Sequence, residues 1–377
     1  MRFSVEESPL RGKALCILQN VMVASYQKGN LIVATAEGSV VKKMRLPFPA
    51  WKYVFGQFRI LERLLHMEIR WAVEIEKDVL FFQCEDAFYE WNCKTDQWTQ
   101  VKIPVRGKPL FIARVAGVDG FPDGWMMGDY GPNPKREPVR IFRRCDHASE
   151  WNICYTFPAD TVRHIHNIVP DVPRACVYIL TGDEDHESGI WCAKSDFAEA
   201  TPLLLGSQKY RACQMLFPYY LTDSPSEENY IYQLRDGEEH PLHFIPGTCI
   251  YGMCCGDGLL FSTTCEPDAH IPNRVAYWLT SHPGKGIRGR FVTVSHLSQS
   301  GKLMRIAEFE HDGLPLHLFQ YGTATFTNCH GRVCYFSTGC VKYADEHTFK
   351  VTWMEEALDE TKKAGNVGWV SAESKAL

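Results

Sequence analysis

No apolar run in the 377-residue chain approaches the roughly 18 residues needed to span a bilayer. The N-terminal stretch MRFSVEESPL also lacks the apolar core of a secretory signal. Together these absences predict a protein that has no membrane span and stays in the cytoplasm. An excess of basic charge is missing too. With 40 Lys and Arg against 45 Asp and Glu, the formal net charge is -5, which argues against a nucleic acid partner, whose phosphates call for a basic surface. Apolar residues at helical 3.6 spacing are scarce outside ALDETKKAG near the C-terminus. A disulfide framework is excluded on different grounds: the 15 cysteines are odd in number, scattered, and not preceded by an export signal, so they are expected as free thiols, mostly buried. Cys329, His330 and Cys334 in NCHGRVC form the only metal-like spacing, and no second half follows at zinc-finger distance.

What the chain does contain is strand. Segments rich in Val, Ile, Tyr, Phe and Trp recur with turn residues between them, which predicts an all-β fold. A larger unit then emerges: a strand ending in a small or acidic residue, a polar loop, an aromatic strand, a tight turn and a further strand. It appears in VMVASYQKGNLIVATAEGSVVKKMRL, VLFFQCEDAFYEWNCKTDQWTQVKI, WMMGDYGPNPKREPVRIFRRCDHASEWNICYTF and VYILTGDEDHESGIWCAKSDFAEATPLL, then in YYLTDSPSEENYIYQL, LLFSTTCEPDAHIPNRVAYWLT and CYFSTGCVKYADEHTFKVTW. Seven units of about 40 to 50 residues predict a seven-bladed β-propeller, because four-stranded blades protect their edges only when the ring closes. The domain is placed over residues 1–355, and residues 356–377 are expected as a helical or disordered tail.

RCDHASEW, Arg144 to Trp151, resembles the S-x-D-x-G-x-x-W turn of sialidase-type Asp-box propellers, with Asp146 and Trp151 in the Asp and Trp positions and Arg144 and Ala148 replacing Ser and Gly. TDQW and KSDF are weaker versions. The stretches TVRHIHNIV, ILTGDEDHESGIW, QKYRA, TDSPSEENYIY and GTCIYG are similar to propeller proteins labelled glycosyl hydrolase or BNR-repeat proteins in bacterial polysaccharide gene clusters. That resemblance spans roughly residues 55 to 350 and implies a glycoside hydrolase-like activity in polysaccharide metabolism. It also implies that the Asp-box turns join third to fourth strands, so that second-to-third loops lie on the opposite, ligand-binding face.

With that register, TVRHIHNIVPD becomes the innermost strand of a blade, and period-two alternation puts His164 and His166 on one face. They are either hydrogen-bonded core residues or the lining of a central pocket. The starts of the other innermost strands bring Arg70, Arg114, Arg163, Asn167, Tyr210, Arg211, Tyr251 and Tyr321 to the same axis. The loops bring Asp129 and Tyr130, Asp183 to Glu187, Asp223 to Glu228, and Glu266. Arginine forks bind carboxylates in two-pronged fashion, so Arg70, Arg114, Arg163 and Arg211, with Asn167, Tyr251 and Tyr321, are the expected contacts to an acidic oligosaccharide or polysaccharide.

For chemistry, hydrolysis requires two carboxyl groups, and Asp183, Glu184, Asp185, Asp223 and Glu266 are available. The sialidase variant would use Tyr210, Tyr251 or Tyr321 as a tyrosine nucleophile. A uronate lyase would use His164 or His166 as base with a tyrosine as acid. A third reading is a non-catalytic propeller that binds glycan or protein during polysaccharide assembly. The acidic loop GDEDHES reads as solvated surface or as a cation site, and a divalent cation is the cofactor compatible with it.

Overall fold

The computed structural model describes residues 1–268 and 271–354. The expected C-terminal tail and ALDETKKAG lie outside them. Seven four-stranded antiparallel sheets follow one another along the chain, as blades 1 to 7 of a β-propeller. Their inner strands are Lys13–Ile17, Ala72–Glu76, Ala113–Val115, His164–Asp171, Ala212–Leu216, Gly252–Cys255 and Thr323–Phe326. The second strands are Val23–Gln27, Val79–Cys84, Gly124–Gly128, Cys176–Gly182, Tyr219–Thr222, Gly258–Ser262 and Val333–Gly339. Blade 7 is completed from the other end of the sequence. The N-terminal strand Arg2–Arg11 pairs with His347–Met354 in a register that runs from Arg2 opposite Met354 to Arg11 opposite His347. That pairing supplies the outermost strand of blade 7 and closes the ring.

The continuous apolar runs of the second strands follow from this architecture. A strand in the middle of a blade is covered on both faces by neighbouring blades, so its side chains are apolar on both sides instead of alternating with polar ones. In VLFFQC, Leu80 and Phe82 enter the core between blades 1 and 2, while Phe81 enters the core between blades 2 and 3. Each of the seven junctions between adjacent blades has such a cluster among the described residues. Removing a fully buried ring such as Phe81 or Trp91 would cost about 3 to 5 kcal/mol.

Turns are built to match. In blade 1 the second and third strands are joined by Lys28 and Gly29 alone, with φ of 45° and 75°, the double positive φ that suits the twist of a two-residue hairpin. The turns expected from RCDHASEW, TDQW and KSDF do join third to fourth strands in blades 3, 2 and 4. Trp98 and Trp151 follow these turns but pack differently. Trp98 is half exposed beside Tyr89, and Trp151 stacks on Phe81 at 5.3 Å. All 15 cysteines are free, ten of them buried. No helix among the described residues is long and apolar enough to cross a membrane.

Two short helices, α1 (Ala50–Phe55) and α2 (Arg59–Leu64), connect blade 1 to blade 2, and a third, α3 (Arg274–Leu279), lies in the second-to-third loop of blade 6. Six residues are too few to display a 3.6-residue repeat, which is why the sequence pattern does not announce them. Helix α2 is tied to the ring by ion pairs. Arg59 binds Asp345 of blade 7 at 2.9 Å, and the buried Glu62 accepts a 2.6 Å hydrogen bond from Tyr26 of blade 1.

Candidate functional site

Inner strands start, and second strands end, on the same face of the ring. An acidic residue directly follows the second strand in four consecutive blades: Glu85, Asp129, Asp183 and Asp223. The repeat therefore sets carboxylates beside the residues that open each inner strand. In blades 4 and 5 this produces a cluster.

His164 and His166 reach it because the inner strand of blade 4 is irregular. His164 lies opposite Gly182 and Ile165 opposite Thr181, but Asn167 lies opposite Leu180, so His166 is the extra residue of a β-bulge. A bulge breaks strict alternation and re-aims a side chain. The two rings sit with centroids 5.0 Å apart, and both are buried. His164 Nδ1 is 3.1 Å from the Gly131 carbonyl oxygen and His166 Nδ1 is 3.0 Å from that of Ala212. The Nε2 atoms face each other at 3.1 Å, and Asp183 Oδ1 lies 3.3 Å from His166 Nε2 and 3.5 Å from His164 Nε2. Gly182 allows this approach, since a Cβ there would stand 2.6 Å from His166 Cε1.

Two arginines complete the group. Arg211 approaches Asp183 Oδ1 at 3.2 Å, and Arg163 approaches Oδ2 at 3.2 Å. Burial alone would raise the Asp183 carboxyl, but the Arg211 guanidinium outweighs it and holds the group well below the ordinary carboxylate range. Asp223 goes the other way. Burial, reinforced by the nearby Glu266, pushes its carboxyl up to about 8, and Cys213 donates its thiol hydrogen to Oδ2 at 3.1 Å. Glu266 is raised for the same reason of burial, although Thr248 and Thr264 donate hydrogen bonds to it at 3.1 and 3.0 Å. Burial lowers the His166 imidazole. Three buried polar atoms in this group have no hydrogen-bond partner: Arg163 Nε, Arg211 Nε and Asp223 Oδ1.

Of the sequence-derived candidates, Arg163, His164, His166, Asp183, Arg211 and Asp223 come together. Glu184 stands at the rim, exposed, 3.9 Å from Arg163. Asn167 belongs to the scaffold: its amide donates to the Cys213 carbonyl at 2.8 Å and holds blade 4 to blade 5. Tyr210 is directed elsewhere, its hydroxyl donating to Glu239 at 3.3 Å. Arg114 is exposed and forms a two-pronged pair with Asp146 at 2.6 Å.

Arg70, Arg114 and Tyr251 line a cavity of about 940 Å³ that follows the inner strands of blades 1, 2, 3, 6 and 7. Arg70 links the two regions, since it lies over the Tyr130 ring at 5.2 Å and that ring packs on His164 at 4.5 Å. Burial pushes the Tyr251 phenol up to about 12, and raises that of Tyr321, which pairs with Tyr277. Asp129 is fully engaged by Arg140 and the Arg106 backbone amide. The acidic loop divides, with Asp183 in the cluster, Glu184 and Asp185 exposed, and Glu187 buried against Arg136 at 2.7 Å.

Cys213 and Gly182 were not singled out by sequence. The available signal was position: Cys213 is the bulged residue of blade 5, as His166 is of blade 4. Among the described residues, two sets of metal-ligating side chains have donor atoms within 4.8 Å of one another: His164, His166 and Asp183, and His166, Cys213 and Asp223.

No family model matches the sequence, and no curated protein does. The expected likeness to sialidase-type and BNR-repeat proteins thus has no family match behind it. Among solved structures, the chain is similar to an oligogalacturonate lyase in complex with manganese, at 11% identity over 94% of this chain and 96% of that one, with a TM-score of 0.51. A chain of a mitotic checkpoint complex is similar at 9% identity over 93% of this chain and 91% of that one, also with a TM-score of 0.51. Identities this low establish the propeller fold alone.

Proposed function

We propose that the chain binds an acidic glycan at the mouth formed by blades 4 and 5 and cleaves it by elimination beside a uronate carboxylate. The observation that carries this reading is the set of unfilled polar atoms. Arg163 Nε and Arg211 Nε are buried donors without acceptors, and Asp223 Oδ1 is a buried oxygen without a partner. A sugar carboxylate supplies acceptors for guanidinium N–H groups, and a sugar oxygen supplies an acceptor for the protonated Asp223 carboxyl. Buried polar groups lose about 1 to 3 kcal/mol each while unpaired, so a ligand that fills them gains selectively over a neutral sugar.

The distribution of protons favours elimination over hydrolysis. Asp183 is enclosed by two arginines, which stabilise its charge and blunt it as a nucleophile. In elimination, the arginines neutralise the substrate carboxylate, the acidified C–H gives its proton to the rim carboxylate of Glu184 beside Arg163, the electron pair forms the C=C bond, and the departing glycosidic oxygen takes a proton from a neighbouring acid. Asp223, protonated at neutral pH, and the Tyr130 phenol, raised by burial, are groups able to give that proton. The fold shared with an oligogalacturonate lyase is compatible with this reading.

Hydrolysis is the second reading, supported by the contrast between an ionised Asp183 and a neutral Asp223 on either side of Arg211. Incubation with uronate oligosaccharides separates the two. Elimination yields reducing ends together with the ultraviolet band of an unsaturated uronate, hydrolysis yields reducing ends alone, and a non-catalytic propeller yields neither.

A further inference from the structure

We propose that His164 Nε2, His166 Nε2 and Asp183 Oδ1 bind a divalent first-row transition metal ion. This rests on the donor geometry and not on the glycan reading. The three atoms are separated by 3.1, 3.3 and 3.5 Å. An ion with bonds of roughly 2.0 to 2.1 Å in tetrahedral or octahedral geometry sets its donors roughly 2.9 to 3.4 Å apart. Two of the three separations fall in that range, and the third, His164 Nε2 to Asp183 Oδ1 at 3.5 Å, lies just outside it.

Tautomers strengthen the assignment. A backbone carbonyl oxygen only accepts hydrogen bonds, so the Gly131 and Ala212 carbonyls fix the hydrogen of each imidazole on Nδ1. In the neutral rings both Nε2 atoms then carry lone pairs, and these face each other and a carboxylate oxygen inside the protein. Three electron-rich atoms repel unless a positive centre lies among them. Metal-bound histidines commonly donate their second ring N–H to a carbonyl in this way, and metal-bound carboxylates are held by further hydrogen bonds. Asp183 has both supports: Arg163 on Oδ2, and Arg211 on Oδ1, where the second lone pair stays available. Its backbone carbonyl also accepts from Gln208 at 2.7 Å, and Gln208 is braced by Ser224 at 3.1 Å. Two imidazoles and one carboxylate suit zinc, manganese or iron(II), and three protein donors leave positions open for water or a substrate carboxylate.

The test uses the full chain, stripped with a chelator and dialysed, then titrated calorimetrically with Zn²⁺ and separately with Mn²⁺. One equivalent should bind, His164→Ala and Asp183→Asn should weaken binding roughly a hundredfold or more, and Co²⁺ loading should give a visible absorption band that both variants lose. Because His164→Ala could unfold the site, melting with and without Zn²⁺ accompanies each titration. Asp183→Asn should melt near the wild-type apo protein yet gain no stability from the ion. Cys213→Ser should bind normally. Absence of stoichiometric uptake by the wild type would overturn the proposal in favour of a proton shared by the imidazoles. Loss of uptake in Cys213→Ser with retention in His164→Ala would overturn it in favour of the His166, Cys213 and Asp223 set. Glycan binding measured in chelator, with Arg163→Ala as its control, reports on the acidic-sugar reading separately.

Discussion

Replacing Gly182 by Ala places a methyl group 2.6 Å from His166 Cε1, 3.1 Å from Nε2 and 3.3 Å from Arg211 Cγ. The backbone φ of Gly182 is not positive, so the alanine is unstrained in itself and the whole effect is steric. Restoring ordinary contact at 3.4 Å requires the imidazole to move by about 0.8 Å, yet the ring is buried and held by the Ala212 carbonyl. Overpacking of this kind typically costs about 1 to 3 kcal/mol, a shift of a few degrees in melting temperature. Its effect on chemistry should be larger, because a displacement near 1 Å within a reacting site costs on the order of a hundredfold in rate. The assay is turnover of a uronate oligosaccharide, with melting followed on the same preparation. A variant that folds, melts a few degrees low and loses most turnover is expected. Full turnover with an unchanged melting temperature would show that His166 is neither confined nor needed.

The two kinds of arginine should separate cleanly. Arg163→Ala ought to weaken an acidic oligosaccharide more than tenfold by isothermal titration, whereas Arg114→Ala, which removes only an exposed pair with Asp146, should leave binding unchanged and cost about 0 to 1 kcal/mol of stability. Equal effects at both positions would contradict the placement of the sugar. Stability should also depend on pH through helix α2. Burial raises the Glu62 carboxyl to about 7, overriding the hydrogen bond from Tyr26. A folded value above the unfolded one of about 4.3 favours the acid form, so this contribution is complete below about pH 4 and is lost, to the extent of roughly 4 kcal/mol, as pH rises through about 7. Glu62→Gln should flatten urea midpoints between pH 5 and 8; an unaltered slope would mean that another group sets it.

The ring was legible because its unit repeats: an apolar second strand ending in a small residue is dictated by burial on both faces and by the turn that follows, and it recurs in blades 2 to 7. Closure by Arg2–Arg11 was not, since pairing between chain ends leaves no local pattern. The site was half legible. Period two correctly placed His164 and His166 on one side, but the bulge that brings their Nε2 atoms to 3.1 Å adds one unpaired residue, which no alternation rule anticipates. Arg114 shows the opposite failure. It opens an inner strand like Arg163, yet Asp146, supplied by a turn 32 residues on, captures it. Tyr210, expected at the start of an inner strand, instead ends the 3₁₀ turn that precedes Ala212–Leu216, and its hydroxyl points to Glu239.

The central claim, elimination on an acidic glycan between blades 4 and 5, is tested most directly by exposing the protein to a panel of uronate oligosaccharides while following reducing ends and ultraviolet absorbance together. The account predicts that both signals rise in step with wild-type protein and that both vanish in Arg163→Ala with its fold intact. Reducing ends without the absorbance, or an Arg163→Ala variant that retains both signals, would contradict it.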